Sequence, residues 1–188
     1  MDINLSGKKI LIITSNTGVE KSELLVPMAF LKKLNAEVTH AAIQQGIVQT
    51  FVNDVDKDEI VKANADLSAI SSSEYDALII PGGTVNSDKL RVNPQAVKLV
   101  SEFAKNKKLI AAICHAPWIL IEAKLVANRE ITSYYSIKTD LINAGAKWLD
   151  QAVVISNKDE SCLITSRQPK DLDEFSKAIA HELSIQKH

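Results

Sequence analysis

The chain has 188 residues, with 22 Lys and Arg against 23 Asp and Glu and a formal net charge of −1. Hydrophobic residues make up 46% and charged residues 24%, the composition of an ordinary soluble globular protein rather than a disordered one. The balanced charge, whose densest basic cluster is the short run Lys105 to Lys108, argues against electrostatic capture of nucleic acid or anionic lipid.

In chain order, Lys9 to Thr14 is a continuous apolar run that reads as a strand buried on both faces, with a loop at Ser15-Asn16-Thr17-Gly18. Ser22 to Leu34 has helical periodicity, with Leu24, Leu25, Met28, Leu31 and Leu34 on one face and Pro27 placed toward the start, where a missing N–H is tolerated. Glu37 to Ile43 alternates and predicts a second strand. The stretch from Gln44 to Tyr75 is polar and weakly patterned; Ile47 to Val52 predicts a short strand and Lys57 to Ala65 a short helix. Ala77 to Ile80 is an apolar strand stopped by Pro81-Gly82-Gly83. Pro94 to Phe103 predicts a helix with proline in its first turn. Leu109 to Ile113 is a buried strand running into Cys114, and a helix follows from His115 to Ala123 with Pro117 in its first turn. Ile131-Thr132 reads as a strand, Ile137 to Asn143 as a helix ended by Gly145, and Val153 to Ser156 with Cys162 to Ser166 as a strand pair. Asp171 to Leu183 closes as an amphipathic helix.

Strands alternating with helices predict an α/β doubly wound fold, a parallel sheet covered on both faces. Such sheets place ligands at the carboxyl ends of their strands. No repeat, low-complexity tract or Pro/Gly-rich linker divides the chain, so one domain over 1–188 is expected. The most apolar window, Leu109 to Ile121, contains His115 and Pro117 and falls short of the ~18 residues of a membrane span. The N-terminal Met-Asp-Ile-Asn-Leu-Ser lacks the pattern of a signal peptide. A cytoplasmic protein with Cys114 and Cys162 reduced is therefore expected.

Four features converge on the predicted strand ends. Cys114 sits between an apolar strand and a helix, flanked two positions either side by Ala112 and Ala116, the small neighbours that a nucleophile on a sharp turn requires. A helix N-terminus beside it would favour thiolate over thiol; the alternative is a buried, inert cysteine. His115 would act as a base or hold a thiolate, although adjacent residues point in different directions, so a role through its backbone N–H is an equal reading. Pro81-Gly82-Gly83 lets the backbone approach a reacting carbonyl and offers N–H groups for half of an oxyanion hole, or is a plain strand-ending turn. Glu20 and Glu23 lie three residues apart on one side of the first helix, where charge at a helix N-terminus also explains them. Cys162 reads as core. His40, His181 and His188 have no ligand-like spacing, so no metal site is expected.

The stretches GVEKSEL (Gly18–Leu24), YDALIIPGG (Tyr75–Gly83), AAICHAP (Ala111–Pro117), ITSYYSIKTDLINAG (Ile131–Gly145) and TSRQPKDL (Thr165–Leu172) occur in one order along nearly the whole chain. In these the chain resembles the PfpI family of intracellular cysteine proteases and general stress proteins, within the class I glutamine amidotransferase-like superfamily. The resemblance implies a flavodoxin-like three-layer sandwich with a mostly parallel central sheet and a nucleophilic cysteine at Cys114. It places a protonated, sulfur-contacting carboxyl at Glu23, a second acid at Glu20, oxyanion-hole amides at Gly83 and His115, and a pocket-lining aromatic at Tyr134. It also places at Asp88 an acid that completes His115 of a neighbouring subunit, and so implies a homo-oligomer, dimer or hexamer. No cofactor is implied. Three positions depart from the family pattern: Cys-His-Gly-Pro is Cys-His-Ala-Pro here, the acid at Asp88 is one methylene shorter than glutamate, and Trp118 stands where many relatives carry glutamine, altering the pocket.

The implied activity is that of a stress-protective, cysteine-dependent hydrolase or lyase. Its partners would be small carbonyl compounds such as 2-oxoaldehydes, or glycated protein or peptide, as in a glyoxalase III-like enzyme, a deglycase or an intracellular peptidase. The alternative is a non-enzymatic redox-responsive stress protein or chaperone with an oxidisable Cys114. A glutamine amidotransferase is disfavoured, because Thr165-Ser166-Arg167 replaces the His-x-Glu of that triad.

Overall fold

Runs of Ile, Leu and Val with no polar break give the centre of the molecule its strands. The computed structural model describes residues 3–158 and 161–186. Its first half holds β1 (Lys9–Thr14), β2 (Thr17–Glu20), α1 (Lys21–Lys33), β3 (Glu37–Ala42), β4 (Gly46–Val52), β5 (Asp56–Ala63), β6 (Ala65–Asp66), β7 (Ala77–Ile80), α2 (Thr84–Arg91) and α3 (Pro94–Lys105). Then come β8 (Leu109–Ile113), α4 (Pro117–Glu122), β9 (Glu130–Ile131), α5 (Lys138–Asn143), β10 (Lys147–Trp148), β11 (Val153–Lys158), β12 (Ser161–Ser166) and α6 (Leu172–Ile185).

Seven strands form one sheet in the order β11-β12-β8-β7-β1-β3-β6. Every neighbouring pair is parallel except β11 with β12. Successive side chains of a strand point to opposite faces, and here both faces are buried. Ile10, Ile12, Ile79 and Ile113 pack with Leu24 and Leu31 of α1 and with Phe175 and Ile179 of α6. Leu11, Ile13, Leu78 and Ile80 pack with Leu90, Leu99, Phe103, Ile119 and Leu141 from α2 to α5. The result is the flavodoxin-like sandwich the sequence implied. No helix among the described residues is long and apolar enough to cross a membrane.

Four local readings are corrected. Residues Lys57 to Ala65 are not a helix: Asp56–Ala63 is a strand paired antiparallel with β4. Its charged outer face imitates helix composition, while cross-strand pairing with β4 decides its conformation. Thr17 and Gly18, read as part of a loop, and Glu20, read as the opening of the first helix, belong to β2, which pairs parallel with β4 in a separate three-stranded sheet. The α2 helix is missed because only Asn86, Ser87 and Leu90 of its eight residues are buried, too few for a periodic stripe. Pro27 lies in the interior of α1, not near its start; its absent N–H removes the helical donor that would meet the Glu23 carbonyl.

Candidate active site

Strands β7 and β8 run side by side with Ile80 opposite Ala112. The segments that leave their carboxyl ends, Pro81-Gly82-Gly83 and Cys114-His115-Ala116, therefore emerge together. Cys114 turns the chain with φ 64°, a left-handed conformation that costs a non-glycine residue about 1–3 kcal/mol. It is held there from both sides: its N–H donates to the Ser166 carbonyl (3.1 Å) and its carbonyl accepts from the Tyr134 N–H (2.9 Å). Ala112 and Ala116 are buried beside it, as the small-neighbour pattern requires.

Gly82 is needed because a Cβ there would come 2.5 Å from Glu23 Oε2 and 2.6 Å from Cys114 Cβ. That missing side chain brings the first helix of the chain against the nucleophile turn. Glu23, wholly buried in the first turn of α1, accepts from the Gly82 N–H through Oε2 (2.8 Å). Its Oε1 meets no partner of good geometry, and the Cys114 thiol is the donor beside the carboxyl. Burial, then the charge of Glu20, pushes Glu23 up from 4.5 to about 8, so the carboxyl holds its proton at neutral pH. Glu20 precedes α1, also buried, and accepts from the backbone N–H groups of Asn53 and Asp54. Burial raises it as well, with those two N–H groups opposing.

The thiol departs from the expectation of a helix-stabilised thiolate. Helix α4 has six residues and begins at Pro117, so its dipole is small and stands off from the sulfur. Burial, followed by the charge of Glu23, pushes the Cys114 thiol up, while hydrogen bonds from the Gly83 and His115 N–H groups pull the other way. Those two amides face the sulfur.

The His115 ring does touch its neighbour. Nδ1 lies 3.2 Å from Cys114 Sγ, and Nε2 lies 3.1 Å from Ser136 Oγ. The left-handed turn at Cys114 folds the two adjacent side chains toward each other, which an extended or helical backbone would not. Tyr134 and Trp118 flank the ring at centroid distances of 4.9 and 5.3 Å. Burial lowers the His115 pKa, partly offset by Asp54, so the ring is neutral and able to accept a proton.

A cavity of about 130 Å³ opens at Cys114, lined by Glu20, Glu23, Asn53, Asp54, Gly83, Cys114, Tyr134 and Pro169. Trp118 is not among these residues; it stacks on His115, under Arg91 at 5.2 Å, and donates through Nε1 to Asp140 (2.7 Å). Asp88 is exposed on α2, and no hydrogen bond joins it to His115 within the chain.

Sequence reasoning missed Asp54. It occupies the tip of the β4–β5 hairpin, where Asn53 and Asp54 have φ 54° and 63°, a conformation that Asn and Asp tolerate. Asn-Asp between two strand-like runs was the available signal, hidden by reading the second run as a helix.

A larger cavity of about 520 Å³ lies at the opposite, amino-terminal edge of the sheet, beside Lys8, Asp76, Lys108 and Cys162. It contains none of the site residues. Cys162 is buried, near Glu182, and burial pushes its thiol up to about 12. His40 is buried against Thr14 (2.8 Å), and His181 is exposed next to Glu182. His188 lies outside the described residues.

Comparison with known proteins agrees with this fold. Deglycase PfpI of Pyrococcus furiosus is 34% identical over 164 residues, 87% of this chain and 92% of the relative. General stress protein 18 of Bacillus subtilis is 35% identical over 171 residues, 91% of this chain and 95% of the relative. Among solved structures, a two-domain protein of Anabaena variabilis with DJ-1/ThiJ/PfpI-like and ferritin-like domains superposes with a TM-score of 0.84 at 36% identity. That match covers 94% of this chain, which spans about half (48%) of the two-domain protein. The model of the DJ-1/PfpI family matches residues 8–182, and the chain belongs to that family.

Proposed function

We propose that the chain is a cysteine-dependent enzyme that converts small 2-oxoaldehydes, free or as adducts on amines, to 2-hydroxy acids. The observation that carries this reading is a small cavity in which one sulfur meets a neutral imidazole, two amides and a protonated carboxyl. Its volume of about 130 Å³ is that of roughly four waters, suited to an aldehyde of a few carbons. A relative named as a deglycase supports the same direction.

The steps follow from the groups present. As the sulfur attacks the aldehyde carbon, His115 Nδ1 takes the thiol proton, the C–S bond forms, and the carbonyl pair moves onto oxygen. The Gly83 and His115 N–H groups hold that oxyanion where its charge develops. Glu23 gives its proton to the neighbouring ketone oxygen, takes the proton from the former aldehyde carbon, and returns it to the former ketone carbon. Water then cleaves the resulting thioester, His115 returns its proton to the departing thiolate, and the acid formed reprotonates Glu23. An amine adduct enters the same path once its hemiaminal C–N bond breaks and the amine leaves with the hydroxyl proton. The aldehyde carbon is oxidised and the ketone carbon reduced, so aldehyde plus water gives hydroxy acid with no external oxidant. Cys162 stands at the amino end of β12 and Ser166, which meets Cys114, at its carboxyl end. Four residues of strand span about 13 Å, too far for Cys162 to trap an oxidised Cys114.

Purified protein incubated with methylglyoxal, without glutathione, should form lactate over many turnovers, and Cys114→Ala should abolish it. Lactate at or below one equivalent per chain would overturn the reading. Glu23→Gln, which keeps the shape but cannot take a proton, should lower kcat by about 10²-fold or more.

A further inference from the structure

The cavity at Cys114 carries three carboxyl groups, Glu20 and Glu23 from the start of α1 and Asp54 from the β4–β5 turn, and none of the described residues lining it is lysine or arginine. Glu23 Oε1 is wholly buried there without a hydrogen-bond partner. Asp54 is the member nearest bulk solvent, and it is firmly held. Its Oδ1 accepts from the Thr84 N–H (2.7 Å) and its Oδ2 from the Thr84 hydroxyl (2.8 Å). Thr84 is the first residue of α2, whose own N-cap is Gly83 and has no side chain to offer. Asp54 therefore supplies from another element the cap that this helix lacks, and its charge is fixed at the cavity wall.

We propose that Asp54 makes this cavity a charge filter: it admits carbonyl compounds that are neutral or carry an amine, and rejects those that carry a carboxylate, such as 2-oxo acids. A carboxylate bound beside the reacting carbon would lie well within a Debye length of Asp54, with no cation on the wall to offset it. The upward displacement of both Glu20 and Glu23 has the same sense, since Asp54 contributes to each. The inference rests on the reading that Cys114 is the reacting thiol.

Iodoacetamide and iodoacetate deliver nearly the same electrophile, one neutral and one anionic, and so test the filter independently of turnover. Alkylation of Cys114 in the full chain, followed by peptide mass spectrometry, should favour iodoacetamide beyond the ratio for a small free thiol. Asp54→Asn, which keeps an oxygen for the Thr84 N–H, should raise the iodoacetate-to-iodoacetamide ratio by about threefold to tenfold. Asp54→Ser, an alternative cap, should do the same. Added salt should narrow the preference of the wild type more than that of either variant. Asp173→Asn, on the remote α6, should behave as wild type. A ratio unchanged by either Asp54 variant, or no alkylation of Cys114 by either reagent, overturns the filter. A shifted ratio in a protein that makes no lactate keeps the filter and removes the proposed reaction.

Discussion

A carboxyl with no exposure to water, like that of Glu23, binds its proton far more tightly when folded than when unfolded. Its folded value, about 8 against an ordinary 4.5, fixes the sign of a stability effect. The native state holds more protons than the unfolded chain between those values, so this contribution is complete below 4.5 and is lost as pH rises through 8, by roughly 5 kcal/mol. His40 acts in the opposite sense. Burial lowers it from 6.5 to about 4, so its contribution is complete above 6.5 and is lost as pH falls toward 4. Wild-type protein should therefore lose stability between pH 6.5 and 8, while Glu23→Gln should be flat there, as read by urea unfolding at half-unit steps. A decline of equal slope in the variant would show that Glu23 is not the group. Cys114 was legible in the sequence from its small-x-nucleophile-x-small pattern, whereas Glu23 read locally as an acid at a helix start and only the family resemblance placed it beside the sulfur. Asp54 was not legible, since its role is set by Thr84, thirty residues away in sequence, and nothing local marks that pairing.

At the scale of elements, the site depends on how closely three chain segments approach. At Gly82, Glu23 Oε2 and Cys114 Cβ both fall inside the space of a methyl group. Gly82→Ala should push α1 from the nucleophile turn and slow Cys114 alkylation by iodoacetamide at least tenfold. Gly7→Ala is the contrast: its Cβ would meet nothing within 4 Å, and only its φ of 81° is unfavourable. That variant should cost about 1 kcal/mol and leave alkylation unchanged. Equal reactivity of Gly82→Ala and wild type would remove close approach as the explanation. The strand-ending glycines were readable as a turn, but whether one of them was indispensable was not, because the obstructing atoms come from α1 and from β8.

Across the whole molecule, legibility followed burial. The central strands β8, β7 and β1 were read from apolar runs, because a strand covered on both faces has little choice of residue, and β3 and β12 from alternation. The two-residue strands β6 and β10 are too short to carry a period, β9 was read one residue late at Ile131-Thr132, and β5 has only Val61 and Ala63 turned inward. The core these runs build is the main source of stability. Ile79, wholly buried in the middle of the sheet, should cost about 2–5 kcal/mol when replaced by alanine, seen as a fall in Tm. Below that transition Cys114 should stay as reactive as in the wild type.

The cavity takes its lining from segments as far apart as Glu20 and Pro169, and the turn at Cys114 leans on the Ser166 carbonyl. During synthesis, therefore, the earlier pieces leave the ribosome long before the last ones exist. The thiol of a growing chain lacks the surroundings that tune it until the strand bearing Ser166 has docked. A chain stalled short of Pro169 would therefore carry Cys114 as an ordinary thiol, without the partners that the folded site gives it.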